Sequence, residues 1–432
     1  MTYPKIQRLM TAVLSARFLL ICAVLSVVLA VGIYQSRANV LAPGSYPELA
    51  QLAQTDSGWN FAAASQYFKS LAQTKGAPYA FQVLLQAPLP PGLDLHLLGH
   101  TVGDVLYQQQ GIKGISICTP DFRNACSHSI VVNALLSQGE KVLPQIVAAC
   151  KQAPGGSGAY TMCFHGLGHG VLAYTDYNLP KAVELCKTLG TPQYQDREYI
   201  DCVGGTIMEL IGGVHDPSAQ AAAAALYFKK SDPLYPCDAT WMPADVQPIC
   251  YTYITPHLFE AGGDSLADPQ PRDFEKAFQL CDAIPQNQPE NRQACLAGPG
   301  KEFDVLAPAR DIRSIGDMGD SDLQKIISWC ALAHSTEGTE DCDGSAVSSL
   351  YWGGENPAGA AIHFCSLMQD SSRQGACFKV LFGEVQTYTP DPSLQSAFCA
   401  QVPPAYTKLC AAPVRNTSDA PGITHADSPS GR

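Results

Sequence analysis

Basic side chains are scarce in this chain. Its 432 residues hold 27 Lys and Arg against 39 Asp and Glu, a formal net charge of −12. Four of the basic residues (Lys5, Arg8, Arg17, Arg37) stand in the first 38 positions, which contain no acid, so the remainder carries 23 basic and 39 acidic groups. So acidic a chain repels nucleic-acid phosphates, and no nucleic-acid partner is expected. Several catalytic signatures are also missing. There is no His-Glu-x-x-His, which excludes the usual zinc-protease helix, no Gly-x-Ser-x-Gly and no phosphate-binding loop. The glycines of Gly204-Gly-Thr-Ile-Met-Glu209 do not make a nucleotide loop, because nothing before them reads as a strand. No Cys-x-x-Cys occurs, which argues against a thiolate metal cluster or a redox-active dithiol.

What is present describes a folded, exported protein. Apolar residues make up 46% and charged residues 15%, outside the range of disordered chains. The run Phe18–Tyr34 is apolar except for Ser26 and Gly32 and follows Lys5, Arg8 and Arg17. Seventeen helical residues span about 25 Å, short for a bilayer core and long for a cleaved signal. The flanking charges keep the N-terminus in the cytoplasm. A retained single-pass membrane anchor is the favoured reading, and cleavage near Ala38 or Ala42 with secretion is the alternative. Both put the rest of the chain outside the cytoplasm. The expected organisation is a basic stub and transmembrane or signal segment over 1–38, a linker over 39–45, an extracytoplasmic disulfide-rich helical repeat domain over 46–413, and a disordered polar tail over 414–432.

Apart from Cys22, sixteen cysteines remain, an even number suited to disulfides in an oxidising compartment. They fall into neighbouring pairs separated by 8 to 16 residues: Cys118 with Cys126, Cys150 with Cys163, Cys186 with Cys202, Cys237 with Cys250, Cys281 with Cys295, Cys330 with Cys342, Cys365 with Cys377, and Cys399 with Cys410. The first cysteine of a pair usually ends an amphipathic segment, as in Leu179-Pro-Lys-Ala-Val-Glu-Leu-Cys186. A polar loop follows, and the second cysteine opens another helical segment, as in Cys202-Val-Gly-Gly. Such a unit is an αα-hairpin stapled near its loop. The predicted fold is therefore all-α, a stack of αα-hairpin repeats in an α-solenoid or α/α superhelix. Linking the second cysteine of one hairpin to the first of the next would have to cross a whole helix. Starts 32 to 51 residues apart are too irregular for tetratricopeptide repeats, and no named repeat consensus fits.

The candidate site is written in histidine. His96-Leu-Leu-Gly-His100 and His165-Gly-Leu-Gly-His169 both read His-x-Leu-Gly-His. Four-residue spacing sets both rings on one helix face, which suits two ligands to one metal ion. His128 stands two residues after Cys126, as His165 does after Cys163. His96, His100, His128, His165 and His169 thus share one register on the second helices of three successive units. Imidazole without thiolate suits Zn, Cu or non-haem Fe. Gly166, Gly168 and Gly170 each cost a helix about 1 kcal/mol relative to Ala, and imply close approach of a neighbouring backbone or ligand. Histidines that merely hydrogen-bond within the core are the plain alternative. Glu209, His257, Glu260 and Glu302 sit on later second helices that could face the same concave side; Glu209 or Glu260 could add a ligand or a general base, a solvated helix face being the favoured reading, while His215, His334 and His363 show no partner in the sequence. Two functions follow: a binding scaffold whose concave surface takes a protein, peptide or glycan, or a metalloprotein or metalloenzyme. Whether the chain is an enzyme is left open by the sequence.

Overall fold

The computed structural model describes residues 46–54, 59–154, 156–213, 215–264, 268–352, 356–389 and 391–411. The anchor or signal segment, the linker and the tail lie outside the described residues, as do Ser57, which the sequence offers as a helix cap, and Asn416-Thr-Ser418, which has the form of a glycosylation sequon. Within the described residues regular structure is helical, with one isolated β-bridge between Lys229 and Asp232. No described helix is long and apolar enough to cross a membrane. Contacts divide the chain into two units. The smaller holds residues 46–54 and 82–88; the larger, which carries the histidines, holds 59–81 and 89–411.

All eight neighbouring cysteine pairs are disulfide-bonded, with Cα separations of 5.4 to 5.7 Å. Eight such bonds place this domain in an oxidising compartment. Each closes a short loop, which the chain-entropy model values at about 3 kcal/mol.

Eight helices of the larger unit form a series, numbered here α1 (Leu95–Gln110), α2 (Asp121–Gln138), α3 (Gly156–Tyr174), α4 (Arg197–Gly212), α5 (Gln247–Tyr253), α6 (Pro289–Leu306), α7 (Thr336–Tyr351) and α8 (Ser371–Tyr388). Each packs on the next in chain order, and α8 also touches α3. From α2 onward each contains the second cysteine of a pair; α1 has none. Helices Leu179–Lys187, Pro271–Asp282 and Asp320–Cys330 end at or beside the first cysteine, as the pattern requires. Cys118 and Cys237 differ, one following a 3-10 segment over Gly111–Ile117 and the other lying in turns.

Local chemistry explains where these helices start. The Asp94 carboxylate accepts from Leu97 N at the head of α1, and Asn178 accepts from Lys181 N with Pro180 in the first turn. Asn60 caps Phe61–Lys75 by accepting from Ala63 N. Residues 77–86, readable as helix or strand, are helical. The Ala-rich run Ala219–Lys230, which reads as helix in the sequence, is helical as part of Pro217–Tyr227 and stops where the chain turns extended at Phe228.

Candidate metal centre

The glycines of α3 permit unusually close packing. A Cβ on Gly168 would lie 2.0 Å from the Cys202 carbonyl oxygen of α4, and one on Gly205 would lie 1.9 Å from the His165 carbonyl oxygen. The two backbones therefore interlock through glycine. At Gly166 a Cβ would stand 2.4 Å from Cδ2 of His128, so this glycine makes room for an imidazole. Close packing along this series brings the histidines of α1, α2 and α3 together beside α4.

The result is one contiguous group. Ring centroids of His96 and His100 are 4.7 Å apart, and His128 lies 5.5 and 5.6 Å from them. His169 is 6.0 Å from His100 and 5.9 Å from His128, while His165 is 5.6 Å from His128 and 5.2 Å from His169. All five sequence candidates meet. His100, His128, His165 and His169 are 5% exposed or less.

Hydrogen bonding orients the rings. His96 Nδ1 donates to the Phe122 carbonyl at 2.7 Å. Ser129 Oγ lies 2.9 Å from the His100 carbonyl oxygen and 3.1 Å from His100 Nδ1. His96 Nδ1 is then protonated and its Nε2 is a lone pair in the neutral ring; for His100, Nε2 is a lone pair in the Nδ1–H tautomer and a donor to His96 Nε2 in the other, in which Ser129 donates to Nδ1. The two Nε2 atoms are 3.1 Å apart. Neither ring nitrogen of His128 has a partner within hydrogen-bond geometry, although the Met162 carbonyl lies near the ring. One nitrogen from each of His96, His100 and His128 falls within a 4.8 Å span.

Glu209 on α4 supports the opposite side. His169 Nδ1 donates to its Oε2 at 3.0 Å; Tyr177 OH and His215 Nδ1 donate to its Oε1 at 2.9 and 3.1 Å. His169 Nε2 is left as a buried lone pair without a partner. Carboxylate–histidine pairs of this kind orient metal-ligating imidazoles and raise their basicity. Burial opposes the Glu209 charge, but the two histidine hydrogen bonds prevail and hold its carboxyl down at about 2. For His215 burial likewise opposes protonation, and Glu209 outweighs it, raising its pKa. Burial drives His96 down and drives His100, His128 and His165 well down, with neighbouring imidazoles adding to the effect. These four rings are therefore neutral at pH 7, the state a metal requires.

Backbone strain converges on the same place. Phe122, Arg123 and Asn124 adopt consecutive left-handed conformations at φ 56°, 53° and 63°, so regular helix in α2 begins after them. Each costs about 1–2 kcal/mol. This turn presents the Phe122 carbonyl to His96 and sends Arg123 to Ser349 at 2.9 Å and over the Trp352 ring at 4.5 Å. Tyr177, the Glu209 partner, is also left-handed at φ 56°. Strain that persists in this way gathers at functional sites.

Two clefts open onto the histidines. One is lined by His96, His100, His169 and His215; the other by His96, His128 and His165; both also reach Met208, Tyr253, Lys301 and Glu302. A further cavity between α3 and α8 in the series shares Tyr253 of α5 and Lys301 of α6 and is walled by the Arg197–Asp201 ion pair, Glu384 and Trp352.

Two expectations need correction. Glu209 is fully buried, not solvated, because its charge is neutralised by hydrogen bonds from three side chains. His215 joins the cluster, its ring 6.2 Å from His100. Gly213 makes this possible, since a Cβ there would lie 2.1 Å from the Glu209 carboxyl carbon. The spacing of Glu209, Gly212-Gly213 and His215 was the available signal, but His215 lies past the helix end, outside any helical register. His257 stacks on Phe228 at 4.4 Å instead, Glu260 is exposed, and Glu302 pairs with Lys301. His334 and His363 are surface partners of Glu275 and Asp320.

No protein-family model, no curated protein and no solved structure matches the chain.

Proposed function

We propose that this is an extracytoplasmic metalloprotein in which His96, His100 and His128 hold a transition-metal ion, with His169 and His215 poised beside them on Glu209. The observation that carries this reading is the convergence of three imidazoles, one nitrogen from each within a 4.8 Å span, with the Nε2 atoms of His96 and His100 3.1 Å apart. Nitrogen ligands about 2.0–2.1 Å from a tetrahedral ion are about 3.3 Å apart, so the pair already has the bite of a metal site. A neutral His100 carrying its proton on Nε2 can donate to His96 Nε2 in the metal-free protein; an ion would replace that proton. A metal ion bound to three imidazoles gains coordination bonds that offset its desolvation. Zn, Cu and non-haem Fe all accept such a ligand set. The clefts reaching the histidines leave a coordination position open to water or a small molecule, as catalytic centres do.

The hairpin series fits a repeat stack curled around these clefts, tethered to the membrane by the apolar run Phe18–Tyr34 with the domain outside. A second reading, a scaffold that takes a peptide or glycan, draws on the cavity beside the centre, where Arg197, Asp201, Glu384 and Trp352 offer charges and an aromatic face. Elemental analysis of the full-length chain separates the two. The metal reading expects a stoichiometric ion that His100→Gln removes while circular dichroism is unchanged. A metal-free chain that takes up neither Zn(II) nor Cu(I) would refute it.

A further inference from the structure

The far side of the histidine cluster differs in chemistry from the three-histidine side. His165 Nε2 meets no oxygen acceptor; it lies 3.3 Å from the thioether sulfur of Met208. The chain has seven methionines, and two of them, Met162 and Met208, line the cleft that His165 enters. His165 is 2% exposed, and its Nδ1 has no partner within hydrogen-bond geometry. His165 Nε2 and the Met208 sulfur thus stand within reach of a common point between them. Next to them is His169 Nε2, a buried lone pair without a partner, fixed by the Nδ1–H donated to Glu209.

We infer that His165, His169 and Met208 form a second metal position, selective for Cu(I), beside the three-histidine position. An ion about 2.0 Å from nitrogen and 2.3 Å from sulfur spans a tetrahedral nitrogen–sulfur edge of about 3.5 Å, close to the 3.3 Å observed. Thioether sulfur is a soft donor that favours Cu(I) over Zn and Fe. The eight disulfides withhold every described cysteine from such a role, so methionine supplies the soft ligand. His128, 5.6 Å from His165 and 5.5 Å from His96, stands between the two positions. This inference rests on the metalloprotein reading and extends it to two ions and to copper.

The test is anaerobic titration of the full-length chain with Cu(I) against a competing chelator, with copper X-ray absorption of the loaded protein. Two Cu(I) per chain are expected, with a sulfur scatterer near 2.3 Å. Met208→Leu, close in volume, should bind one Cu(I) and lose the sulfur signal, while His100→Gln should retain it. Absence of a sulfur scatterer in the wild-type protein, or one Cu(I) lost in His100→Gln and indifferent to Met208→Leu, would overturn the inference and leave the three-histidine centre standing. Failure to bind either Cu(I) or Zn(II) would overturn both. The wild-type absorption spectrum decides the matter even if a variant misfolds.

Discussion

Replacing Glu209 by Gln tests how the centre is held together. The carboxylate accepts from Tyr177 and His215 on one oxygen and from His169 on the other. Its pKa of about 2, against an ordinary 4.5, corresponds to about 3 kcal/mol of preference for the ionised form in the folded protein. The raised pKa of His215 reflects the same interaction and is not counted again. A glutamine has one carbonyl oxygen, which can serve Tyr177 and His215. Its NH2 group then faces His169 Nδ1–H, donor against donor. The ring can escape only by moving its proton to Nε2, which removes the lone pair that faces the cluster. Urea unfolding of metal-free Glu209→Gln should show a loss of about 3 kcal/mol. Affinity at the position that draws on His169 should fall about 10–100-fold, as for other carboxylate partners of ligating histidines. Nitrogen-15 spectra of labelled histidine should show one ring changing from the Nδ1–H to the Nε2–H tautomer. If stability, affinity and tautomer were all unchanged, Glu209 would not orient the centre.

Stability of the metal-free protein should decline in acid. The folded-state pKa values of His96, His100, His128 and His165 are lowered, so the unfolded chain binds more protons below its own value near 6.5. Stability is then complete above about pH 7 and falls by about 2 kcal/mol by pH 5 for each histidine that stays neutral, partly offset by His215, whose shift has the opposite sign; urea midpoints that rise or stay level from pH 7 to 5 would contradict this. Gly168→Ala sets a methyl group 2.0 Å from the Cys202 carbonyl and should cost at least about 1–3 kcal/mol, whereas Gly375→Ala, with open space around it, should be neutral or stabilising by up to about 1 kcal/mol. Thermal unfolding of both variants would measure the contrast. Joint substitution of Cys186 and Cys202 by alanine should lower stability by about 3 kcal/mol without disturbing the other seven bonds, checked by non-reducing peptide mass spectrometry.

Much of the architecture was legible along the chain because it is governed by short-range chemistry. Neighbouring cysteines can find each other across a tight loop, so spacing alone predicted the pairing. Helices such as Leu179–Lys187 announce themselves through Asn178, Pro180 and an apolar stripe ending on Cys186. The repeated His-x-Leu-Gly-His and the register of His128 named five of the six clustered histidines. Glycines 166, 168 and 170 were legible as a demand for close approach, though not as to what approaches.

The remaining features depend on partners far apart in the sequence. Glu209 resembled a solvated residue because the three groups that allow its burial come from Tyr177, His169 and His215. His215 joins the cluster only because Gly213 lets the chain fold back over Glu209. The left-handed turn at Phe122–Asn124 has no glycine to signal it; its strain is offset by tertiary contacts such as those of Arg123 with Ser349 and Trp352. Met208 counts as a ligand candidate only once His165 lies 3.3 Å from its sulfur. By itself the sequence determined the helices, the staples and the histidine register, since these follow from periodicity, loop closure and residue spacing. The tertiary structure decided which ring nitrogens face one another, because the groups that orient the imidazoles, the Phe122 carbonyl, Ser129 and Glu209, stand on helices packed alongside those that carry His96, His100 and His169.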